Sequence, residues 1–474
     1  MSMRKPGRLL TVGAAIAFIV TACAGQGGST PTAAPATPVA SGGASAAPPS
    51  VTSFDWKKYS GTEITFLANQ HPWTDGMTSL VAQFTSETGI KVNVQPFSED
   101  LYFDKMEQAV RATAGIADVY FLPMDSSGYS QFTGGFIEPL TPYLNDATKT
   151  SADYNLKDFP KGFLDPGMYP PGDASAQLYG IPISFETYIL FYNKDLVAKY
   201  LGGVLPTTFD ELTAAAAKIT KDGAKDGVVG SVMRGIRSDA IMDTLSGVVF
   251  DAYGAKQAPS PYGLWFDGGW DKPRLTDPGV CAGLTNYAKM LAAGPANKYA
   301  IDWNDANTLF SQGKAAFFID ASLFGPSFED PTASQVAGKV GYTQLPPATA
   351  GAASYTGHWL WGLGIPKNAK QKDAAWYFVQ WMTNKANTAT IGATTGGAPR
   401  LSSWSDPAYT GKFVPEYIAA VNGAMQTSRT TVVFRENWKD GALAIVDGML
   451  QIANGADPTA SCAKANAAFA KAVK

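Results

Sequence analysis

The sequence is poor in the residues that most enzymes use for chemistry. It has 2 histidines and 3 cysteines among 474 residues, and it contains no His-Glu-x-x-His, Cys-x-x-Cys, Gly-x-Ser-x-Gly or phosphate-loop motif. We therefore expect no metal, no cofactor and no enzymatic activity. A glycosidase stays open as an alternative, because it needs only two suitably separated carboxylates and the chain has 40 acidic residues.

Charge is absent from residues 24–52, which are Ala, Gly, Ser, Thr, Pro, Val and one Gln. This composition cannot bury enough apolar surface to offset the entropy lost on ordering. We predict a flexible tether over residues 23–55. A coil of about 29 residues has a mean reach of roughly 30 Å, enough to hold a folded body just off a membrane surface.

Long apolar runs are also missing, and the run at residues 9–20 is too short to span a bilayer as a helix. Three cations precede it and small residues follow it, which is typical of a secretory signal. Cys23 directly follows Val-Thr-Ala and resembles the lipidated cysteine of the bacterial lipobox. We predict a signal peptide over residues 1–22 and an extracytoplasmic protein attached to the cell membrane only by lipid on Cys23. An ordinary signal peptide with an incidental cysteine is the alternative.

Loss of residues 1–22 removes three cations and no anion, which leaves 34 basic and 40 acidic side chains and a formal charge of −6. This balance argues against nucleic acid as a partner. About 420 residues remain after the tether, enough for two or three cores. Their composition is that of a globular body, since the chain is 45% hydrophobic and 16% charged.

Two cysteines remain in the mature body, Cys281 and Cys462. An exported protein allows them to pair, and the bond would close a loop of about 180 residues, for which the chain-entropy model gives up to roughly 5 kcal/mol. Two separate buried thiols are the alternative, and both stay open.

Apolar periodicity over residues 63–122 indicates strands at 63–68, 91–95 and 118–122, with helices between them around 77–88 and 102–114. This β-α-β-α-β order predicts a parallel sheet with right-handed crossovers. Ligands of such sheets lie beyond the carboxyl ends of the strands, so the Asn-Gln-His-Pro-Trp-Thr-Asp loop at residues 69–75 is a candidate binding loop.

Several later segments resemble, in order, the signature of bacterial extracellular solute-binding proteins of the sugar-importer type. They are Gly-Ile-Pro at 180–182, Phe-Tyr-Asn-Lys-Asp-Leu at 191–196, Pro-Thr-Thr-Phe-Asp-Glu-Leu at 206–212, Phe-Ser-Gln-Gly-Lys-Ala-Ala-Phe at 310–317, Trp-Gly-Leu-Gly-Ile-Pro-Lys at 361–367 and Gly-Ala-Pro-Arg at 397–400. The likeness runs from about residue 60 to the carboxyl end.

The resemblance implies an α/β protein with the two-lobed type II periplasmic-binding-protein-like fold. By analogy, lobe I comprises residues 56–187 and 362–401 and lobe II comprises residues 188–361 and 402–474, joined by three chain crossings. It further implies a monomeric receptor that binds a mono- or oligosaccharide, or a polyol, between the lobes and delivers it to an ABC permease. On this map both mature cysteines fall in lobe II. A surface adhesin that binds polymers without closing is a further alternative.

Sugars offer apolar ring faces to aromatic side chains and hydroxyls to fixed donors and acceptors. The resemblance places Glu186 where the maltose-binding relative has a sugar-contacting glutamate, although a hinge salt bridge would also explain it. Position in the chain and family likeness nominate eight ligand contacts, with packing as the alternative for each: His71, Trp73, Tyr102, Glu186, Asp320, Trp359, Trp361 and Arg435. The tryptophan that several relatives carry after the strand ending near Asp320 is Leu323 here, which weakens the case for a maltodextrin ligand.

Overall fold

The computed structural model describes residues 53–254, 264–267, 269, 271–430 and 437–473. They lie in one compact unit that begins at Thr52. Cys23 and Arg435 are outside the described residues. The Phe54 ring lies 5.2 Å from the Tyr377 ring, so the packed body already includes a residue that the sequence assigned to the tether.

Eleven strands are present in the described residues. They are β1 (Glu63–Asn69), β2 (Lys91–Phe97), β3 (Val119–Pro123), β4 (Met168–Tyr169), β5 (Gln177–Leu178), β6 (Ile181–Asn193), β7 (Val229–Val232), β8 (Ala315–Ala321), β9 (Val340–Thr343), β10 (Thr356–Gly364) and β11 (Ser428–Thr430).

The α-helices of the same residues are mostly short in the first half of the chain. They are α1 (Pro72–Thr78), α2 (Val81–Thr88), α3 (Glu99–Arg111), α4 (Gly128–Thr133), α5 (Thr141–Leu144), α6 (Lys161–Leu164), α7 (Lys194–Leu201), α8 (Phe209–Gly223), α9 (Ile241–Tyr253), α10 (Pro278–Ala292), α11 (Trp303–Ser311), α12 (Gly325–Phe328), α13 (Lys372–Met382), α14 (Lys385–Thr395), α15 (Leu401–Trp404), α16 (Pro407–Thr410), α17 (Pro415–Thr427), α18 (Trp438–Ala453) and α19 (Pro458–Ala472). None of the helices described is long and apolar enough to cross a membrane.

The predicted β-α-β-α-β order of the first 70 residues of the body is confirmed, with one difference. β1 pairs in parallel with β2 on one side and with β3 on the other. The expected single helix between β1 and β2 is instead two helices, α1 and α2, with Leu80 at the junction. The apolar spacing survives this break because α2 begins only three residues after α1 ends. Gly89 ends α2 in the left-handed region at φ 75°.

The main sheet runs β2-β1-β3-β10-β6-β8-β7, with β11 added to β10 and β9 added to β6. β6 is the longest strand and is almost entirely buried. Its first half pairs with β10 and its second half pairs with β8 and β9. The continuous strand β6 therefore connects two groups of strands. The first strand group consists of β2, β1, β3, β10 and β11, and the second strand group consists of β8, β7 and β9.

Local sequence explains how the elements of the second strand group begin. α8 starts at a capping box, in which the Glu211 backbone N–H donates to the Thr208 hydroxyl and the Glu211 carboxylate accepts from the Thr208 backbone N–H. α11 is capped by Asp302 and is followed by Gly313 at φ 70° before the buried strand β8.

A disulfide joins Cys281 in α10 to Cys462 in α19, so the pairing that the sequence left open is made in the structure. Both helices contribute to one apolar core together with α8, α9 and α18. The bond therefore connects two elements of the same core, on the side of the molecule that contains the second strand group.

Candidate ligand-binding cleft

The candidate site is built around the point where β6 changes partner. Thr187 is the last β6 residue paired with β10, and Tyr188 is the first paired with β8. This is the position where the sequence predicts the first chain crossing, while the exact lobe boundaries stay predictions. Glu186 lies one residue before the change, directly opposite Trp359 of β10. Both residues are therefore at the junction of the two strand groups.

His71 and Glu186 form a polar pair across 115 residues of chain. His71 caps α1, where its Nδ1 accepts a hydrogen bond from the Trp73 backbone N–H at 3.1 Å. Because Nδ1 is an acceptor there, Nε2 carries the proton and donates to Glu186 Oε1 at 3.1 Å. The two side chains are 9% and 10% exposed, so both retain a small accessible surface. The loop after β1 thus places a side chain against β6, and its role in ligand binding stays a prediction.

Trp359 and Trp361 lie side by side on β10 but in different surroundings. Their ring centroids are 5.6 Å apart and the ring planes are inclined at 67°. Trp361 is 4% exposed and packs on Phe121 at 4.9 Å. Trp359 is partly exposed, and its buried indole Nε1 has no hydrogen-bond partner among the described residues. Of the two, Trp359 is the more exposed, and it is the stronger candidate for a ligand contact.

Trp73 and Tyr102 are buried behind the cleft wall. Trp73 is 2% exposed, and its ring makes T-shaped contacts with the rings of Phe66 and Phe121. Tyr102 is fully buried, and its hydroxyl donates to the Phe121 carbonyl oxygen. The structure supports packing for both side chains, and their direct contact with a ligand stays a prediction.

Asp320 is also fully buried, in an ion pair that the sequence did not reveal. Arg234 binds it in a bidentate manner, with Nε to Oδ2 at 2.9 Å and Nη2 to Oδ1 at 2.6 Å. The other Arg234 nitrogen, Nη1, donates to Asp243 Oδ2 at 2.9 Å and to the Ala240 carbonyl oxygen. Asp243 is the outermost member, with 21% of its side chain exposed. Asp320 therefore holds Arg234, and Asp243 is the member that reaches accessible space.

Glu99 and Trp303 are two further residues of this region that were not predicted from the sequence. Trp303 Nε1 donates to Glu99 Oε2 at 2.9 Å, and the Trp303 ring stacks on Phe324 at 5.8 Å with a 7° angle between planes. The signal that could have identified Glu99 is its place directly after β2. Arg234 likewise follows β7 closely. Ligands of such sheets lie beyond the carboxyl ends of the strands, and this rule, which pointed to the loop after β1, applies equally to the ends of β2 and β7.

Burial changes the protonation of the acids in this region. It raises the pKa of Asp243 well above its usual value despite the opposing charge of Arg234, and it also raises the pKa of Glu99. Negative charge on Glu186 acts in the same direction on the pKa of both groups. No group of three or more His, Cys, Asp or Glu side chains in the described part of the chain could hold a metal ion.

Asp125 follows β3 and forms hydrogen bonds with residues of both β10 and β11. Its Oδ2 accepts from the Leu360 backbone N–H and its Oδ1 accepts from the Thr430 hydroxyl. Burial raises its pKa to about 7. His358, next to Trp359, is 4% exposed, and burial lowers its pKa to about 3, so this second histidine is neutral and lies in the core.

The architecture matches known structures over nearly their full length. A solute-binding protein of an ABC transporter from Agrobacterium radiobacter K84, solved in complex with ribitol, superimposes with a TM-score of 0.71 at 24% identity and covers 87% of this chain and 99% of that one. The protein has the two-lobed type II periplasmic-binding-protein fold, as predicted.

Sequence comparison agrees with the fold. The chain is 28% identical over 338 residues to the erythritol/L-threitol-binding protein of Mycolicibacterium smegmatis, which covers 70% of this chain and 69% of that protein. It is 29% identical over 256 residues to the mannitol-binding protein of Pseudomonas aeruginosa, 53% of each chain. The family model for bacterial extracellular solute-binding proteins matches residues 70–389, and the chain belongs to that family.

Proposed function

We propose that this protein is the extracytoplasmic receptor of an ABC importer and that it binds a sugar or a polyol in the cleft around Glu186. The ligand is captured between the two strand groups and released to the membrane permease. The receptor acts as a monomer attached to the membrane by lipid on Cys23, and it performs no catalysis on the ligand.

The observation that supports this proposal most directly is the arrangement of Trp359 beside Glu186. Trp359 is a partly exposed aromatic side chain whose buried indole N–H has no hydrogen-bond partner among the described residues, and the carboxylate of Glu186 opposite it accepts hydrogen bonds. An apolar face next to a fixed donor and a fixed acceptor is the set of groups that a polyhydroxylated ligand requires. Glu186 also lies on β6, the strand that connects the two halves, so a ligand bound there would touch both.

The direct test is a thermal-shift panel of sugars, polyols and amino acids on the full-length protein. A ligand at 100 times its dissociation constant adds about 2.7 kcal/mol to the free energy of unfolding, which a melting curve resolves. We expect hits among sugars or polyols. Hits confined to amino acids would contradict the proposed ligand class.

Two variants locate the site. Glu186→Ala and Trp359→Ala should abolish the ligand-induced shift and leave the melting temperature of the unliganded protein nearly unchanged. Asp226→Asn, at an exposed ion pair with Lys199, is the control and should keep the full shift. A large fall in the unliganded melting temperature of the two cleft variants would favour a structural role instead. Release of monosaccharide from an oligosaccharide ligand on incubation would contradict the absence of catalysis.

A further inference from the structure

A series of side-chain contacts leads from β6 along the first half of the cleft. Glu186 accepts the hydrogen bond from His71, and the centroids of the His71 and Trp361 rings are 6.0 Å apart. The Trp361 ring lies 6.1 Å from the ring of Phe103 in α3. Phe103 follows Glu99 by four residues in this helix, so the two side chains lie on the same face of α3. These contacts place the Glu99 carboxylate on the wall of the cleft that begins at Glu186.

A second series of contacts leads from the same strand along the other half. The backbone N–H of Thr187, the residue after Glu186, donates to the Ser322 hydroxyl at 3.3 Å. Ser322 begins the short helical turn that follows β8 and ends at Phe324. The Trp303 ring stacks on the Phe324 ring at 5.8 Å. Trp303 therefore lies on the opposite wall of the cleft, which begins at Thr187.

The two walls meet where Trp303 Nε1 donates to Glu99 Oε2 at 2.9 Å, a hydrogen bond that we call the Glu99–Trp303 bridge. With the bridge, the contacts enclose a space that begins and ends at adjacent residues of β6, Glu186 and Thr187. Each step is a hydrogen bond or a contact between rings. The bridge does not require a charged Glu99, because a protonated carboxyl group also has an oxygen that accepts a hydrogen bond.

The Trp303 side of the bridge is held in place by its surroundings. The backbone N–H groups of Gly235 and Ile236 both donate to the carbonyl oxygen of Ile301, at 2.9 and 3.0 Å, which fixes the chain just before α11. One face of the Trp303 indole is covered by Phe324, and the two ring planes are 7° apart. A ligand that pushes the indole aside therefore loses the bridge and disturbs this stack as well.

From this enclosure, and resting on the proposed function, we propose that the Glu99–Trp303 bridge restricts the cleft to a single sugar ring or an open-chain polyol and discriminates against oligosaccharides. A compound of one unit lies between the walls while the bridge stays intact. A further glycosyl unit that leaves the enclosed space must displace the Trp303 indole and break the bridge, and this added cost is the source of the discrimination. Glu99 and Trp303 are both partly exposed, so they form an outer edge of the site.

The test compares a ligand of one unit with the same compound carrying one further glucosyl unit. A thermal-shift panel on the full-length protein identifies the ligand, and titration calorimetry then measures both dissociation constants, for example those of D-glucitol and maltitol or of D-glucose and maltose. We expect the glucosylated compound to bind about 50-fold more weakly. A glucosylated compound that binds less than about tenfold more weakly overturns the inference, as do hits confined to oligosaccharides, and both results leave the proposed function intact. A full panel of sugars and polyols without any binding overturns both.

Variants of Glu99 assign the size limit to the bridge. Glu99→Ala removes the acceptor, so the ligand of one unit loses the bridge, whereas the glucosylated compound has already broken it and loses nothing. The ratio of the two dissociation constants should therefore fall about fivefold or more. Glu99→Gln keeps an oxygen that accepts from Trp303 and should keep the ratio, which separates the hydrogen bond from the charge. An unchanged ratio in folded Glu99→Ala overturns the assignment.

Two further variants complete the experiment. Trp303→Phe removes the donor of the bridge and should lower the ratio as Glu99→Ala does, so the assignment does not depend on the folding of one variant. Glu87→Ala is the matched control, because Glu87 Oε2 accepts a 2.8 Å hydrogen bond from Trp381 Nε1 between α2 and α13. It should leave the ratio unchanged. A fall in the ratio that is equal in Glu87→Ala and Glu99→Ala overturns the assignment to the bridge.

Discussion

Glu99 and Trp303 are 204 residues apart in the chain, and the Trp303 indole donates a 2.9 Å hydrogen bond to the Glu99 carboxylate. The two residues belong to different halves of the molecule, because α3 packs on β1 and β2 whereas α11 packs on β7 and β8. The bond therefore links the halves directly. A receptor whose halves separate on opening must break it.

Trp303→Phe should shift the protein toward an open form. Phenylalanine keeps the stack on Phe324 and loses the N–H donor, and a hydrogen bond to a charged group contributes about 1.5–3 kcal/mol. If the substitution removes even part of this free energy from the closed form, the dissociation constant of the ligand should rise about 5- to 10-fold, because the ligand binds the closed form. Titration calorimetry measures the change, and X-ray scattering of the unliganded variant should give a larger radius of gyration.

Trp381→Phe is the matched control for that experiment. Trp381 Nε1 donates to Glu87 Oε2 at 2.8 Å, so it makes the same kind of bond, but between α13 and α2. Its loss should lower stability slightly and leave affinity unchanged. Equal effects of the two substitutions on affinity would show that the Glu99–Trp303 bond has no special part in closure.

The first half of the fold could be predicted from short-range pattern alone. The period of apolar residues located β1, β2 and β3, because this signal acts over a few neighbouring residues of chain. The split of the first helix into α1 and α2 was not predicted, because apolar spacing alone does not report it. The apolar period continues through Leu80, so periodicity does not report that the backbone hydrogen bonding is interrupted there.

The candidate site was less accessible to prediction, since its contacts join distant parts of the chain. Glu186 was nominated by its resemblance to the family, but its partner His71 is 115 residues away and only the fold brings them together. Asp320 was nominated as a ligand contact, and nothing in its neighbourhood in the sequence indicates Arg234, 86 residues earlier. The sequence indicated which strand ends carry candidate residues. The contacts between those residues became known only from the tertiary structure.

Asp320→Ala should destabilise the protein strongly. Arg234 has 7% of its side chain exposed and would keep its charge, so the substitution leaves a buried guanidinium without its bidentate partner. Breaking a buried pair in this way costs about 3–5 kcal/mol. Urea unfolding should show a correspondingly lower midpoint. The exposed Arg237–Asp447 pair provides the comparison, and Asp447→Ala should cost less than about 1 kcal/mol. A similar loss in both variants would contradict the role of burial.

Asp125 should make stability depend on pH below neutrality. Burial raises its folded-state pKa from 3.8 to about 7, so the folded protein binds a proton that the unfolded chain releases between these values. This contribution is fully present below about pH 4, is lost as pH rises toward 7, and amounts to roughly 4 kcal/mol. Compared with the wild type, Asp125→Asn should therefore show a flatter fall in unfolding free energy between pH 4 and 7. An identical slope in urea titrations of the two proteins would contradict a protonated Asp125.

Reduction of the Cys281–Cys462 bond should lower stability without affecting the site. The bond closes a loop with a sequence separation of 181 residues, for which restriction of the unfolded chain gives up to about 5 kcal/mol. Both cysteines lie on helices of one core, so the cleft does not depend on the bond for its geometry. Urea unfolding with and without reductant measures the first effect, and ligand titration under the same two conditions measures the second. The double variant Cys281→Ser/Cys462→Ser should reproduce the reduced protein, and a loss of ligand affinity that accompanies full retention of folding would show that the disulfide also shapes the cleft.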